Sequence, residues 1–455
     1  MHFYSFICIV YIIYNYKITH YGSKRDEKVM KRRDSMENEF QEKLEPDVER
    51  KAQNNEKTRV ENNLEIRIEN EVGNKTETVI DLMQKPKVDS DLFFKLIDSS
   101  IQGSREYRLI SSAFELGVFE ALKVPLSAGA LADKLGCNPV LMPHFCEALC
   151  ILGLLDRFEE YPHKVVENTE KQEKNEIGCE NRSEDSIQHT DTEKGGPVYM
   201  VSDLSATYFL ESSPFSQQHY LAEKLRNTEL WARLTQIMRR GPEIFEKEPF
   251  FGGVITCMAE NVRCGLLQDT VRVVMENVDL RKINKLLDLG GGHGLYAIAF
   301  AKLNENIQAS VFDLPSITEK TKNFINKYGV SNVDVIPGDF FKDGIGSGYD
   351  LIFSSFNPGG KVPSLLPKIT EALNPGGIFV TRQVLDEKMK SNSFLSLDWN
   401  LWTFEDMKKG GSGYSFENSV SFTEYIEMLN EYGLEVFAAL DMKDASRIVF
   451  AQKRV

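Results

Sequence analysis

No CxxC pair occurs in this sequence, and no histidine stands at a metal-ligand spacing from a cysteine. That pattern excludes the common structural zinc sites and dithiol redox motifs, and no metal is expected. The seven cysteines, Cys8, Cys137, Cys146, Cys150, Cys179, Cys257 and Cys264, are odd in number and sparse over 455 residues. Such usage belongs to a reduced, intracellular protein, and a cytoplasmic location is expected. Cys146 and Cys150 share one helix face, where small buried thiols are the expectation. An apolar run of the roughly 20 residues that cross a bilayer is also missing. The nearest is Phe3–Tyr14, which has no basic segment before it and no small-residue cleavage site after it. Three readings of it stay open: a short membrane anchor, an interfacial segment, and a start placed upstream of the true one at Met30 or Met36. The last is preferred. Positive charge is in deficit, with a formal net charge of −14, so phosphate backbones are repelled and nucleic acid is not an expected partner.

What is present is ordinary globular material, 42% hydrophobic and 27% charged, enough for two cores. After the apolar segment (1–22), residues 23–88 are rich in Glu, Lys, Asn and Arg and hold no steady apolar period, which predicts disorder. From Asp89, Leu92, Phe93, Leu96 and Ile97 repeat at helical spacing, followed by Tyr107, Ile110, Phe114 and Val118. Ser127 is placed to cap a short helix that Gly136 ends, and Asn138–Pro139 to open a second. A strand pair, Leu155–Phe158 and Val198–Val201, would complete a winged-helix plan, with the polar insert 159–196 as a disordered expansion of the wing. The would-be recognition helix, Asn138–Leu155, carries no Lys or Arg, so DNA reading is not expected of it. Helices are predicted from Ser216 to about Arg240 and from Gly253 to Val278. Beyond Leu286, apolar runs alternate with amphipathic helices, the pattern of a parallel sheet covered on both faces, and LEVFAAL with ASRIVFAQK suggests a closing hairpin. The expected division is a helical, winged-helix-like domain over 89–252 and an α/β, Rossmann-like domain over 253–455.

The second domain carries the chemistry. Leu286–Leu295 reads LLDLGGGHGL: an apolar strand carrying Asp288, a turn with Gly290, Gly292 and Gly294, then a helix. Glycines let backbone approach a ligand, and the following helix N-terminus favours a carboxylate. About 20 residues past Gly294, Asp313 ends the next strand, where dinucleotide folds place a ribose-binding acid. The spacing Asp288-x-Gly-x-Gly-x-Gly differs from GxGxxG and matches class I methyltransferases, whose cofactor is S-adenosylmethionine (SAM). The third strand adds VIPGDFF, with Asp339 placed to accept from an adenine amino group and Phe340 or Phe341 to pack on the ring. The competing reading is a Rossmann-like fold for another nucleotide.

From about residue 90 onward the chain resembles the O-methyltransferase family that includes caffeic acid and acetylserotonin O-methyltransferases. The resemblance rests on FELGVFEAL, LADKLG, DLGGGHG, FDLP, GDFF, ALNPGG and GLEVF. It implies a homodimer built through the N-terminal helical domain and cofactor contacts at Gly290, Asp313, Asp339 and Phe340.

One part of the family pattern is missing. A Lys and a catalytic His should follow the fourth strand, but SSFNPGGKVP puts Ser355 and Gly359 there, and Arg382 stands where the family has an acid. The histidine that follows Asp288, His293, lies inside the glycine loop and is expected to be a loop residue. A neutral hydroxyl needs a base, whereas a thiol or amine needs less help. Asp398, Glu405 and His219 are the replacement bases considered. The acceptor pocket is expected along SLDWNLWTFEDM, at Trp399, Trp402, Phe404 and Met407, with core packing as the competing reading, and Gly410, Gly411 and Gly413 as a lid. Three functions therefore stand: methyl transfer to a small molecule, methyl transfer to a protein side chain such as cysteine, and a non-catalytic SAM-binding regulator.

Overall fold

The structure, a computed structural model, describes residues 85–159, 196–357, 360–386, 393–405, 409 and 418–455, leaving aside the side chains of 247–249 and 251–252. The apolar start, nearly all of the charged segment, the wing insert, Gly359, Met407 and the glycines of the expected lid lie outside the described residues. Residues 103–455 form one compact unit, and 85–102 belong to another.

The N-terminal elements are α1 (Ser90–Glu115), α2 (Val118–Ala121), β1 (Leu126–Ser127), α3 (Ala128–Leu135), α4 (Met142–Ile151), β2 (Leu155–Phe158), β3 (Val198–Val201) and α5 (Asp203–Tyr208). Ser127 caps α3 as expected, its hydroxyl accepting from Ala130 N at 3.2 Å, and Gly136 closes the helix in the left-handed conformation. The second helix begins at Met142 rather than at Pro139. Asn138 Oδ1 instead accepts from Val140 N and Leu141 N, which makes a turn before the helix can start. The expected strand pair forms in register, Leu155 opposite Val201, and β1 joins it in a three-stranded sheet of order β1-β3-β2. Met142, Cys146 and Leu149 of α4 pack under this sheet with Leu131 and Val118, so Cys146 is a core thiol, its pKa pushed up to about 12 by burial.

Two predicted helices are each broken in two. The first becomes α6 (Gln218–Ala232) and α7 (Leu234–Arg240), followed by a short strand β4 (Glu243–Ile244). The second becomes α8 (Lys247–Val262) and α9 (Leu266–Asn277), interrupted at Gly265, whose φ of 123° no helix accommodates.

The C-terminal half is a seven-stranded sheet with helices. In chain order it comprises β5 (Lys285–Leu289), α10 (Leu295–Leu303), β6 (Gln308–Asp313), α11 (Pro315–Tyr328), β7 (Val333–Pro337), β8 (Tyr349–Ser355), α12 (Leu366–Ala372), β9 (Leu373–Val384), α13 (Ser393–Asn400), β10 (Trp402–Thr403), α14 (Phe422–Glu431), β11 (Leu434–Asp441) and β12 (Ser446–Lys453). The strand order is β11-β12-β9-β8-β5-β6-β7. The five strands from β9 to β7 run parallel, and β12 is antiparallel to both β9 and β11, which is the closing hairpin the sequence suggested. The chain builds outward through β6 and β7, then returns to the other side of β5 as β8. Ligands in open α/β sheets bind where the order reverses, outside the C-terminal ends of the strands, and here that point lies between β5 and β8. Two apolar cores flank the sheet, one including α8, α9, α10 and α11 residues, the other α12 and α14 residues.

Candidate functional site

At the reversal point β5 delivers the glycine turn. Leu286, Leu287 and Leu289 are buried and hold the strand, which places Asp288 beside the turn, itself 1% exposed. Gly290 adopts φ 69°, and a Cβ there would come 2.3 Å from Asn357 Nδ2. That amide donates to Leu289 O at 3.0 Å, so the end of β8 grips the end of β5 across the crevice. Gly292, at φ 56°, donates its N–H to Asp313 Oδ2 at 2.9 Å, and a Cβ there would meet only the Ile255 methyl at 3.4 Å. Gly294 stands as the cap before α10, in the left-handed region.

The two acids behave differently. Asp288 Oδ2 is buried without a hydrogen-bond partner. Burial, joined by the nearby charge of Asp313, raises its pKa to about 7 against the N–H of Ala297. Asp313 accepts from Leu314 N at 2.7 Å as well as from Gly292 N, and burial outweighs those two donors to raise its pKa to about 6. An orphaned carboxylate oxygen beside a left-handed glycine turn, with a second acid tied to that turn, fits a ligand that brings hydroxyl and ammonium donors. SAM has a ribose diol and an amino group, so the residues present fit it.

Asp339, where β7 ends, accepts from Phe341 N at 3.0 Å and lies 3.2 Å from Lys342 Nζ. Of the two phenylalanines, Phe340 is wholly buried in the core with Phe312 and Ile345. Phe341 packs on it, ring centroids 4.7 Å apart, and is the partly exposed one. Phe340 is therefore a core ring, and Phe341 is the one of the two that keeps some exposed surface. His293 is buried, and its Nδ1 accepts from Leu295 N at 3.1 Å. Burial, aided by Arg263, lowers its pKa to about 3, so it is a neutral loop residue and no base at ordinary pH.

The β8 and β9 ends, where the family pattern places a His and an acid, hold different chemistry. Phe356 takes a strained φ of 50° and donates its N–H to Arg382 O at 2.8 Å. The Arg382 guanidinium is buried and satisfied by Asp444 at 2.5 Å, Ser446 Oγ at 2.9 Å and Thr270 Oγ1, and it lies over the Phe356 ring. It is a structural clasp between β9, β12 and α9. Close by in sequence, Lys361 forms a largely buried ion pair with Asp386, whose other oxygen accepts from Phe422 N at 2.7 Å. The sequence reading missed both clusters. Their members lie 62 to 112 and 25 to 36 residues apart, and no local spacing links them.

The expected acceptor wall is closed as placed. Trp399 and Trp402 are core residues, packed edge to face with centroids 5.0 Å apart, and Phe250 and Phe404 pack on Trp402. Lys409 Nζ lies 4.2 Å from the Trp399 ring and 3.9 Å from the Trp402 ring and donates to both residues' carbonyl oxygens, with burial lowering its pKa to about 7. Of the replacement bases, Asp398 is buried and accepts from Trp231 Nε1 at 2.6 Å, and Glu405 is exposed. His219 pairs with Glu260 at 2.6 Å.

Comparison with known proteins agrees with this geometry. An O-methyltransferase domain model matches residues 261–407, and an O-methyltransferase dimerisation domain model matches 99–171. The chain is 32% identical over 367 residues to a protein of Methanocaldococcus jannaschii described as uncharacterised, covering 80% of this chain and 90% of that one. It is 25% identical over 315 residues to acetylserotonin O-methyltransferase of Bos taurus, covering 64% of this chain and 81% of that one. In fold it is similar to human N-acetylserotonin methyltransferase in complex with SAM, with a TM-score of 0.56, 21% identity and coverage of 82% of this chain and 100% of the other. An O-methyltransferase family protein from Burkholderia thailandensis gives a TM-score of 0.59 at 15% identity, covering 81% and 99%. The sheet and its turn define a class I methyltransferase fold. The chain belongs to the O-methyltransferase family, and it is a SAM-dependent methyltransferase. Among the described residues, no helix is long and apolar enough to cross a membrane.

Proposed function

We propose that the protein transfers a methyl group to a small-molecule acceptor, working as a homodimer joined through its N-terminal helical region (89–252), with residues 253–455 holding the cofactor. SAM supplies the methyl as an electrophile already activated by its sulfonium. Asp288 and the turn at Gly290, Gly292 and Gly294 would hold its amino-acid end, Asp313 its ribose, and Asp339 with Phe341 its adenine, over a floor that includes Phe340. The protein's remaining task is to exclude water and present the acceptor in line. The observation that carries this reading is the pair of buried acids at one turn, Asp313 bonded to Gly292 N and Asp288 with an uncommitted oxygen.

The family's His is replaced by glycine at 359 and its acid by Arg382, so the acceptor proton leaves by another route. The acceptor is proposed to enter near Trp399, Trp402 and Met407, where dimer formation or ligand binding would have to open the aromatic cluster.

The test is transfer of labelled methyl from SAM to a panel of phenols, amines and thiols. Transfer to at least one small acceptor is expected. Tight SAM binding with no transfer to any of them, and transfer instead to a cysteine-bearing protein, would replace this reading with a protein-directed one. Binding with no transfer to either would leave a regulator.

A further inference from the structure

Glu260, near the end of α8, is 8% exposed in its side chain and fully used. Oε2 accepts from His219 N at 3.0 Å and Tyr220 N at 3.2 Å, at the first turn of α6. Oε1 accepts from His219 Nδ1 at 2.6 Å. Gln217 Nε2 donates to the Glu260 carbonyl at 2.9 Å and fixes the two elements together. A carboxylate bonded to Nδ1–H selects the tautomer in which Nε2 carries the lone pair. That nitrogen has no partner among the described residues, and the His219 side chain is 59% exposed. A nitrogen base whose other nitrogen is oriented by an acid is the arrangement used to activate a hydroxyl.

The helix that carries Glu260 also borders the glycine turn. Ile255 of α8 is the residue that a Cβ at Gly292 would meet, and Arg263, at the helix end, is the charge that acts on His293. Glu260 lies between them, about 7.5 Å along the axis from Ile255 at 1.5 Å per residue.

We propose that His219, oriented by Glu260, is the general base that takes the acceptor's hydroxyl proton in place of the family's missing histidine. The inference rests on the methyl-transfer reading above. In the step, the O–H proton passes to His219 Nε2 as the oxygen lone pair forms the O–CH3 bond. The C–S bond breaks with its electrons going to sulfur, leaving S-adenosylhomocysteine, and Glu260 balances the imidazolium.

The test begins with the full chain labelled with 15N-histidine, the His219 signals assigned by their loss in His219→Gln. Wild type is expected to show the Nδ1–H tautomer at His219, Glu260→Gln to lose it, and S-adenosylhomocysteine to shift the Nε2 resonance. This arm needs no acceptor. With plain phenol, His219→Gln is expected to slow transfer at least about 100-fold, within the usual range for a general base. With an acidic nitrophenol, which ionises unaided, the loss should stay below about fivefold, as the same base requirement implies. S-adenosylhomocysteine affinity should be unchanged. An unmoved His219 resonance with S-adenosylhomocysteine bound would overturn the proposal, as would equal losses for both phenols, the mark of a merely structural cap on α6. Failure of S-adenosylhomocysteine to bind would overturn the parent reading along with it.

Discussion

At the residue scale, the decisive side chains are those that the fold leaves under stress. Asp288 and Asp313 bind protons more tightly in the folded chain than an unfolded aspartate near pH ~4 does. The folded state therefore holds extra protons between about pH 4 and 7, and without cofactor these two groups lower stability as pH rises through that window. The melting temperature of Asp288→Asn relative to wild type should accordingly climb between pH 5 and 7.5. A difference that stays flat or falls would contradict the assignment. Gly290 is constrained twice, by positive φ and by Asn357 Nδ2 at 2.3 Å from its missing Cβ. Gly290→Ala should cost roughly 1–3 kcal/mol in denaturant unfolding, the usual scale of backbone strain, and weaken SAM binding at least tenfold. Unchanged stability would show that Asn357 can yield.

At the element scale, capping governs where helices begin and end. Ser421 and Glu424 form a capping box, Ser421 Oγ accepting from Glu424 N at 3.2 Å and Glu424 Oε2 accepting from Ser421 N at 2.9 Å. Ser421→Ala should cost about 1 kcal/mol, read as a fall in melting temperature, because Asp386 still serves the next N–H of α14. A larger loss would mean that the box also holds the Lys361–Asp386 pair. Elements with a local code were legible from sequence: Ser127 and Gly136 around α3, the Leu155–Phe158 strand, the glycine turn and the closing hairpin. Elements set by one residue's backbone were not. Gly265 at φ 123° splits what reads as a continuous helix, and the Asn138 side chain delays α4 by a turn. Asp288, Gly290, Gly292 and Asp313 sit close in sequence or at a fixed offset, and the fold brings them together at one turn. Phe340 and Phe341 could not be told apart, because facing depends on Phe312 and Ile345 from other elements. The Arg382 clasp joins residues up to 112 apart and left no local signal.

At the scale of the whole molecule, α1 carries apolar surface: among the described residues, Leu92, Phe93, Phe94, Leu96, Ile97 and Ile101 are all exposed. Contiguous apolar surface of that kind is usually covered, and a dimerisation model matches from residue 99 onward. Phe93→Asp with Ile97→Asp should convert a dimer to a monomer in sedimentation or light scattering. A wild-type chain that is monomeric at micromolar concentration would rule out the homodimer.

The central claim is that the turn between β5 and α10 holds SAM with Asp313 as its ribose partner. Calorimetric titration of SAM into the wild-type chain and into Asp313→Ala tests it directly. Micromolar binding by the wild type, weakened at least tenfold by the substitution while the melting temperature of the cofactor-free protein is retained, is the predicted result. Equal affinity in both proteins, or no binding in either, would contradict it.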